Sequence, residues 1–233
     1  LIMKLCIFSD IHGNLDALKK MLERERENVD GYIFLGDIFG YFYDQPAVID
    51  KLRSIKNIWA VKGNHDENYL GLMQKNSRMQ YELANRYGSS YFIPLTSKQK
   101  EYVKNLPAYL EVEIDGQLLG LFHGGPSDYM NQRIYPDTEL KLLTRKYSIL
   151  LLGHTHYRFV GMNGRTLIIN PGSLGQPRDE KGFSYLVLDT HNKSCEFKTV
   201  QVDVLALINQ MKEKDPNKQV FDYIKKKYEG MWK

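Results

Sequence analysis

The sequence predicts an α/β protein in which parallel strands give way to hairpins. Three observations carry that reading. Short apolar runs recur at strand length along the 233 residues, the first three separated by helix-like stretches and the later ones punctuated by turn dipeptides. The runs lie near 3–9, 32–36, 58–62, 109–114, 117–122, 148–152, 157–162, 165–169, 183–188 and 195–202.

In chain order, the apolar opening runs straight into Ser9-Asp10 with no basic leader and no small-residue cleavage site. It reads as a buried first strand, not a signal peptide. Residues 15–28 place Leu15, Leu18, Met21 and Leu22 on one helical face, with Asn14 as the N-cap. A second helix is expected over 46–56. Residues 67–106 are polar and helix-prone and read as an insertion over one sheet edge. Beyond them, Asp115-Gly116 and Asn163-Gly164 are hairpin dipeptides, so this sheet, or a second one, should be mixed. The end, 203–233, reads as two short helices broken at Asp215-Pro216-Asn217. Leu205, Ile208 and Met211, then Val220, Phe221, Ile224 and Tyr228, form apolar stripes that dock on the body or make a homo-oligomer contact.

Hydrophobic content of 42% and charged content of 26% are ordinary for a soluble globular chain. Apolar runs such as 149–152 are far too short to cross a bilayer, so no membrane role is expected. Cys6 and Cys195 sit in strand-like runs and read as buried free thiols, which suits a reducing cytoplasm. Of the net charge of +4, residues 205–233 supply +3, with seven Lys against two Glu and two Asp. The remaining chain is nearly neutral, which disfavours a nucleic-acid partner. Lys225-Lys226-Lys227 reads as a solvated helix face.

Chemistry concentrates in the histidines. Of six, His12, His65, His123, His154 and His156 sit in short polar motifs directly after strand-like runs. The motifs are Asp10-Ile11-His12, Gly63-Asn64-His65-Asp66, His123-Gly124 and Gly153-His154-Thr155-His156, and Gly36-Asp37 follows a further run. Open α/β sheets build their sites beyond the carboxyl ends of strands, so these loops should converge. On extended backbone, residues two apart point the same way, so Asp10 and His12 can grip one ion together. Carboxylate and imidazole without thiolate suit Mn, Fe, Co, Ni or Zn and argue against a structural zinc clip. Taken singly, each motif has a plainer reading as a cap, a turn or a core histidine; the ordered set does not. His191, in the polar turn 189–193, reads as a turn residue. Serine hydrolase and NTPase readings lack support, because no G-x-S-x-G elbow and no P-loop is present.

The order D-x-H, G-D-x-x-G, G-N-H-D, H-G, G-H-T-H resembles the calcineurin-like metallophosphoesterase superfamily. Asn170-Pro171-Gly172-Ser173, with residues 174–178 after it, resembles a further motif of its small prokaryotic phosphoesterases. The resemblance implies a four-layer α/β/β/α sandwich of two mixed sheets over 1–204, with the helical insertion at about 67–106 and a helical extension, 205–233, packed on the same domain. It implies one divalent cation on Asp10, His12, Asp37 and His156, and a second on Asp37, Asn64, His123 and His154, with Asp37 bridging. Mn is the first expectation. The implied reaction is hydrolysis of a small phosphate ester, in which a hydroxide shared by the ions attacks phosphorus in line. Phosphodiester, phosphomonoester and dinucleotide polyphosphate all stay open as substrates. His65 is implied as a catalytic residue that faces the substrate beside Asn64, with Asp66 as a candidate partner.

One departure stands out. Phosphoserine phosphatases of the superfamily carry Asp where Gly40 stands and a phosphate-clamping Arg where Phe42 stands, so protein phosphatase activity is not expected. Arg178 is a substitute clamp or a surface residue; Tyr41 and Tyr43 line the pocket, fill the core or sit in a turn. The rival readings are a non-catalytic scaffold of the same fold and a nuclease. A scaffold should show lost ligands, and every position is intact; a nuclease wants a broad basic groove.

Overall fold

A computed structural model of the chain describes residues 3–73, 77–179, 182–214, 221–222, 224–226 and 228. The strands are β1 (Lys4–Phe8), β2 (Gly31–Phe34), β3 (Ile58–Ala60), β4 (Tyr109–Ile114), β5 (Gln117–Phe122), β6 (Ile149–Leu151), β7 (Arg158–Asn163), β8 (Thr166–Pro171), β9 (Phe183–Asp189) and β10 (Ser194–Val200). The helices are α1 (Leu15–Glu25), α2 (Gln45–Arg53), α3 (Asn64–Met73), α4 (Ser77–Tyr87), α5 (Ser97–Asn105) and α6 (Val204–Lys214). Two five-stranded sheets result, in the orders β10-β9-β1-β2-β3 and β4-β5-β6-β8-β7. In the first, β1, β2 and β3 run parallel, joined through helices, and β9 and β10 complete it antiparallel. In the second, β5, β6 and β8 run parallel between the hairpin partners β4 and β7. Both sheets are mixed.

Strand alternation builds the layers. Leu5 and Ile7 of β1 enter the apolar core between the sheets, where Ile149 and Leu151 of β6 and Leu167 and Ile169 of β8 meet them. Cys6 and Phe8 face the other way, into a core formed with α1, α2, α5 and α6. Each fully buried Leu or Ile favours folding by roughly 1.5–3 kcal/mol before chain entropy is counted. The outer face of the second sheet, including Phe122, Leu150 and Ile168, is covered by the segment 123–148, whose regular element is a 3-10 turn at Leu140–Leu142.

Local chemistry sets the boundaries. The Asn14 side chain accepts from the Ala17 N–H and starts α1 as expected. The helix stops at Glu25, short of residue 28, because Asn28 turns back and bonds the carbonyls of Arg24 and Glu25. Asp115 and Gly116 both adopt positive φ, 53° and 69°, which gives the twist of a two-residue hairpin turn. In the second hairpin Asn163 is the last strand residue, paired with Thr166, so the turn itself is Gly164-Arg165.

The C-terminal stripe needs correcting. Val204, Leu207, Ile208 and Met211 face the core, with Ile224 and Tyr228 beside them, while Leu205 is 73% exposed. The expected break at Asp215-Pro216-Asn217, together with Val220 and Lys227, lies outside the described residues. Cys6 is buried and Cys195 half-buried, both as free thiols. No helix among the described residues is long and apolar enough to cross a membrane.

Candidate metal centre

The carboxyl ends of the parallel strands in both sheets open onto one crevice. Asp10 follows β1, Asp37 follows β2, Asn64 and His65 begin α3 after β3, His123 follows β5, and His154 and His156 follow β6. The backbone holds them tightly. Asp10, His12, Asp37, Tyr41, His154 and His156 all take positive φ, between 49° and 68°. Left-handed backbone costs a non-glycine residue roughly 1–2 kcal/mol, so the loops are strained where they present these groups. This corrects the extended-backbone reading of Asp10 and His12. Both are left-handed, and their side chains meet through the turn, not through strand alternation.

Each buried carboxylate divides its two oxygens. Asp10 Oδ2 accepts from the His154 N–H at 3.2 Å, and Asp37 Oδ1 accepts from the His65 N–H at 2.9 Å. Asp10 Oδ1 and Asp37 Oδ2 have no hydrogen-bond partner. Around them stand imidazole nitrogens: His156 Nε2 lies 3.1 Å from Asp10 Oδ1, and His123 Nε2 lies 3.3 Å from Asp37 Oδ2. His12 Nε2 is 3.8 Å from Asp10 and 4.0 Å from Asp37, between the two.

The tautomers follow from the opposite ring nitrogens. His12, His123 and His156 each meet a backbone carbonyl at Nδ1, those of Phe39, Leu35 and Gln176, at 2.5–2.7 Å. A carbonyl only accepts, so each Nδ1 donates, and each neutral ring turns its Nε2 lone pair into the crevice. The Nε2 atoms of His12 and His156 then face each other at 3.2 Å as two acceptors. His123 Nε2 likewise faces the Asn64 amide Oδ1 at 3.1 Å. Lone pairs and orphaned carboxylate oxygens packed this closely call for positive charge between them. Divalent cations fit that donor set.

Titration expresses the same demand. Burial lowers the pKa of His12, and holds those of His65 and His154 down to about 4. Burial also opposes a charge on His123, yet without a cation the Asp37 carboxylate draws a proton onto its Nε2 and raises it to about 9, so a proton takes the place that a metal ion would fill on the neutral ring. Asp10 stays below the usual carboxylate range, because His156 and His123 outweigh its burial.

Two further side-chain sets position the loops. Asp66, expected as a partner for His65, is instead buried and accepts from the backbone N–H groups of Asp37, Ile38 and Gly63 at 2.8–2.9 Å. It ties the second and third loops together. Asn170 donates to the Gly153 carbonyl and the Thr155 hydroxyl, and Ser173 donates to the Asp10 carbonyl. The Asn170–Ser173 motif therefore braces the first and last ligand loops. At Gly63 a Cβ would stand 2.1 Å from Asp37 Oδ1. Gly63→Ala is therefore expected to lose about 1–3 kcal/mol, the usual cost of overpacking, as a lowered urea midpoint with weaker metal retention.

His65 faces the crevice with Nε2 at 4.0 Å from Asp37 Oδ2, and its Nδ1 is hydrogen-bonded to the Tyr91 hydroxyl. A Cβ at Gly40 would come within 2.7 Å of His65 Nδ1, so the absent Asp leaves room for this ring. Tyr41 lines the cleft, and Tyr43 is buried in the core. Arg178 also lines the cleft, joined by Arg86 and Arg133, which no local sequence signal marked. His191 lies in an exposed turn and belongs to none of the donor groups.

Among the described residues, the groups able to hold an ion are Asp10-His12-His156, His12-Asp37-His65 and Asp37-His123-His154. Residues 3–193 match the calcineurin-like phosphoesterase superfamily domain. The chain belongs to this superfamily. The family is metal-dependent, and the family match together with its phosphodiesterase relatives makes the chain a phosphoester-hydrolysing enzyme with candidate metal-ligand clusters. It is 25% identical to the phosphodiesterase YfcE of Escherichia coli over 197 residues, covering 80% of this chain and 88% of that one. It is also 27% identical to an uncharacterized protein of Methanocaldococcus jannaschii over 222 residues, covering 86% and 88%. The crystal structure of a metallophosphoesterase from Sphaerobacter thermophilus superposes with a TM-score of 0.76 at 26% identity, covering 94% of this chain and 97% of that one.

Proposed function

We propose that the chain hydrolyses small phosphate esters at a dinuclear centre. Asp10, His12, Asp37 and His156 hold one cation; Asp37, Asn64, His123 and His154 hold the other. The observation that carries this reading is the pair of orphaned carboxylate oxygens, Asp10 Oδ1 and Asp37 Oδ2, set among inward-facing Nε2 lone pairs. The all-N/O donor set suits Mn first, with Fe, Co, Ni or Zn as alternatives. Two such ions, when bound, lower the pKa of a water between them and neutralise phosphoryl oxygens. The free thiols Cys6 and Cys195 support a cytoplasmic setting.

The protein's own groups do the rest. Asn64 and His65, at the start of α3, meet the ester. With the Tyr91 hydroxyl donating to Nδ1, a neutral His65 offers Nε2–H as a hydrogen bond to the developing phosphoryl charge; to protonate the leaving oxygen it must first take a second proton, and Nδ1–H then donates to Tyr91 instead. A panel of phosphomonoesters and diesters, assayed with Mn, Ni, Co, Zn and Mg in turn, tests the activity. Absence of turnover of every ester with every metal would contradict it.

His65→Ala separates the proton's role from metal retention. The variant is expected to keep its metals and fold, and to slow on an alkyl ester by the roughly 10²–10⁴-fold typical of a lost general acid. A nitrophenyl ester expels a weaker base, so its loss should be clearly smaller. The check is kcat on both esters at matched metal content. Equal losses would assign His65 to stabilising the phosphoryl oxygens.

A further inference from the structure

Beside the donor set lies a cleft of about 640 Å³, large enough for a nucleotide-sized organic phosphate. Three guanidiniums line it from three separate segments: Arg86 from α4, Arg133 from the segment before β6, and Arg178 from the loop after β8. Arg133 Nε lies 3.4 Å from His154 Nε2, at the rim of the metal centre. Arg86 sits 5.6 Å from the centre of the Tyr87 ring. Burial raises the pKa of the Tyr87 phenol, and Arg86, Arg178 and Arg133 all pull it back, so the three charges share one neighbourhood.

No ion pair joins these three cations to an acid among the described residues. Among the described residues, the arginines in ion pairs are Arg24, Arg26, Arg53, Arg78 and Arg158. Glu82, the acid on the cleft wall outside the donor set, is held by Arg78 at 2.9 Å. The charge count sets the ligand class. Two dications against Asp10 and Asp37 already match the charge of a single phosphate ester. Three unpaired guanidiniums beyond them call for further anionic charge, and the planar fork of Arg suits phosphate oxygens. Tyr41 and Tyr87 supply ring surface in the same cleft.

We propose that Arg86, Arg133 and Arg178 form a second phosphate subsite, so that the preferred substrate is a phosphate ester bearing at least one additional phosphate group. This rests on the phosphoesterase reading of the neighbouring centre and adds the substrate class to it. Arg86 comes from the helical insertion, so that insertion contributes to specificity. Arg133 and Arg178 join the subsite to the scissile position.

Calorimetry on the full-length, Mn-loaded protein tests the proposal without turnover, using the non-hydrolysable phosphonate (C–P) analogues of AMP, ADP and adenosine 3′,5′-bisphosphate, named below by their parents. At least one of the two-phosphate nucleotides should bind tenfold or more tightly than AMP. Arg86→Ala and Arg133→Ala should each cut that preference to threefold or less, with far-UV circular dichroism confirming the fold. Arg165→Ala, which removes one charge from the exposed turn between β7 and β8, should leave the preference intact. Equal affinities in the wild type, or a preference unmoved by both cleft variants, would overturn the subsite. An equal fall in all three variants would reduce it to general electrostatic attraction and overturn it too. Selective binding without hydrolysis of any ester would instead count against the phosphoesterase reading alone.

Discussion

Stripping the divalent cations is expected to take phosphoester hydrolysis to background, and adding back Mn or another first-row transition metal to restore it. The size of the loss follows from the nucleophile. Water in bulk has a pKa of 15.7, against about 7 at a catalytic metal. Without cations, the hydroxide fraction near neutral pH falls by many orders of magnitude, and the greater nucleophilicity of free hydroxide offsets only part of this. No side chain replaces it. Burial keeps His12, His65 and His154 largely neutral, and protonated His123 offsets Asp37 alone, so the metal-free crevice keeps too little positive charge to receive a phosphate beside Asp10. Chelation should also destabilise the fold, because Asp10 Oδ1 and Asp37 Oδ2 return to being buried and unpartnered. Assay before and after metal depletion, with thermal melts on the same samples, checks both. Full turnover by metal-free protein would contradict a metal-based mechanism.

Asp37→Asn is expected to weaken both cation positions together. Asp37 Oδ2 lies 3.3 Å from His123 Nε2 and 4.0 Å from His12 Nε2, so one oxygen borders both halves of the donor set. Removing a group that only orients a ligand costs about 10–100-fold in metal affinity or activity. Removing the shared charge itself should exceed that range. The new amide brings a second consequence. Its Oδ1 can still accept from the His65 N–H, which directs the amide NH₂ at the former Oδ2 position, towards the cations. His156→Ala, at the other end, should mainly disturb the position around Asp10 and His12. Metal content by elemental analysis and kcat/KM across a Mn titration read both variants. Two tightly held metals per chain in Asp37→Asn would remove Asp37 from the bridging role.

Much of the fold was legible because its signals are local. Leu5, Cys6, Ile7 and Phe8 alternate between two cores, and Asp115-Gly116 has the residue types of a tight hairpin. The residues that meet in the crevice were legible for a related reason: each lies just beyond a strand. What escaped is what only the tertiary structure decides. Nothing next to Asp66 says that its carboxylate will collect three backbone N–H groups from two loops. Tyr91 reaches His65 across 26 residues, and a tyrosine at a 3-10 turn carries no mark of that contact. Arg86 and Arg133 look like any other surface arginines until the chain brings their segments to one cleft. Leu205 was misassigned because Val204, Leu207, Ile208 and Met211 keep the helical spacing equally well, and packing selects their face.

The central claim is that two cations occupy the crevice with Asp37 between them. Anomalous diffraction at the Mn edge from Mn-loaded crystals tests it most directly. The expected map holds two peaks about 3.5–4 Å apart, the spacing of two-metal hydrolytic sites. One should lie against Asp10, His12 and His156, the other against Asn64, His123 and His154, with Asp37 touching both. A single peak, or peaks away from these side chains at saturating Mn, would contradict the dinuclear account.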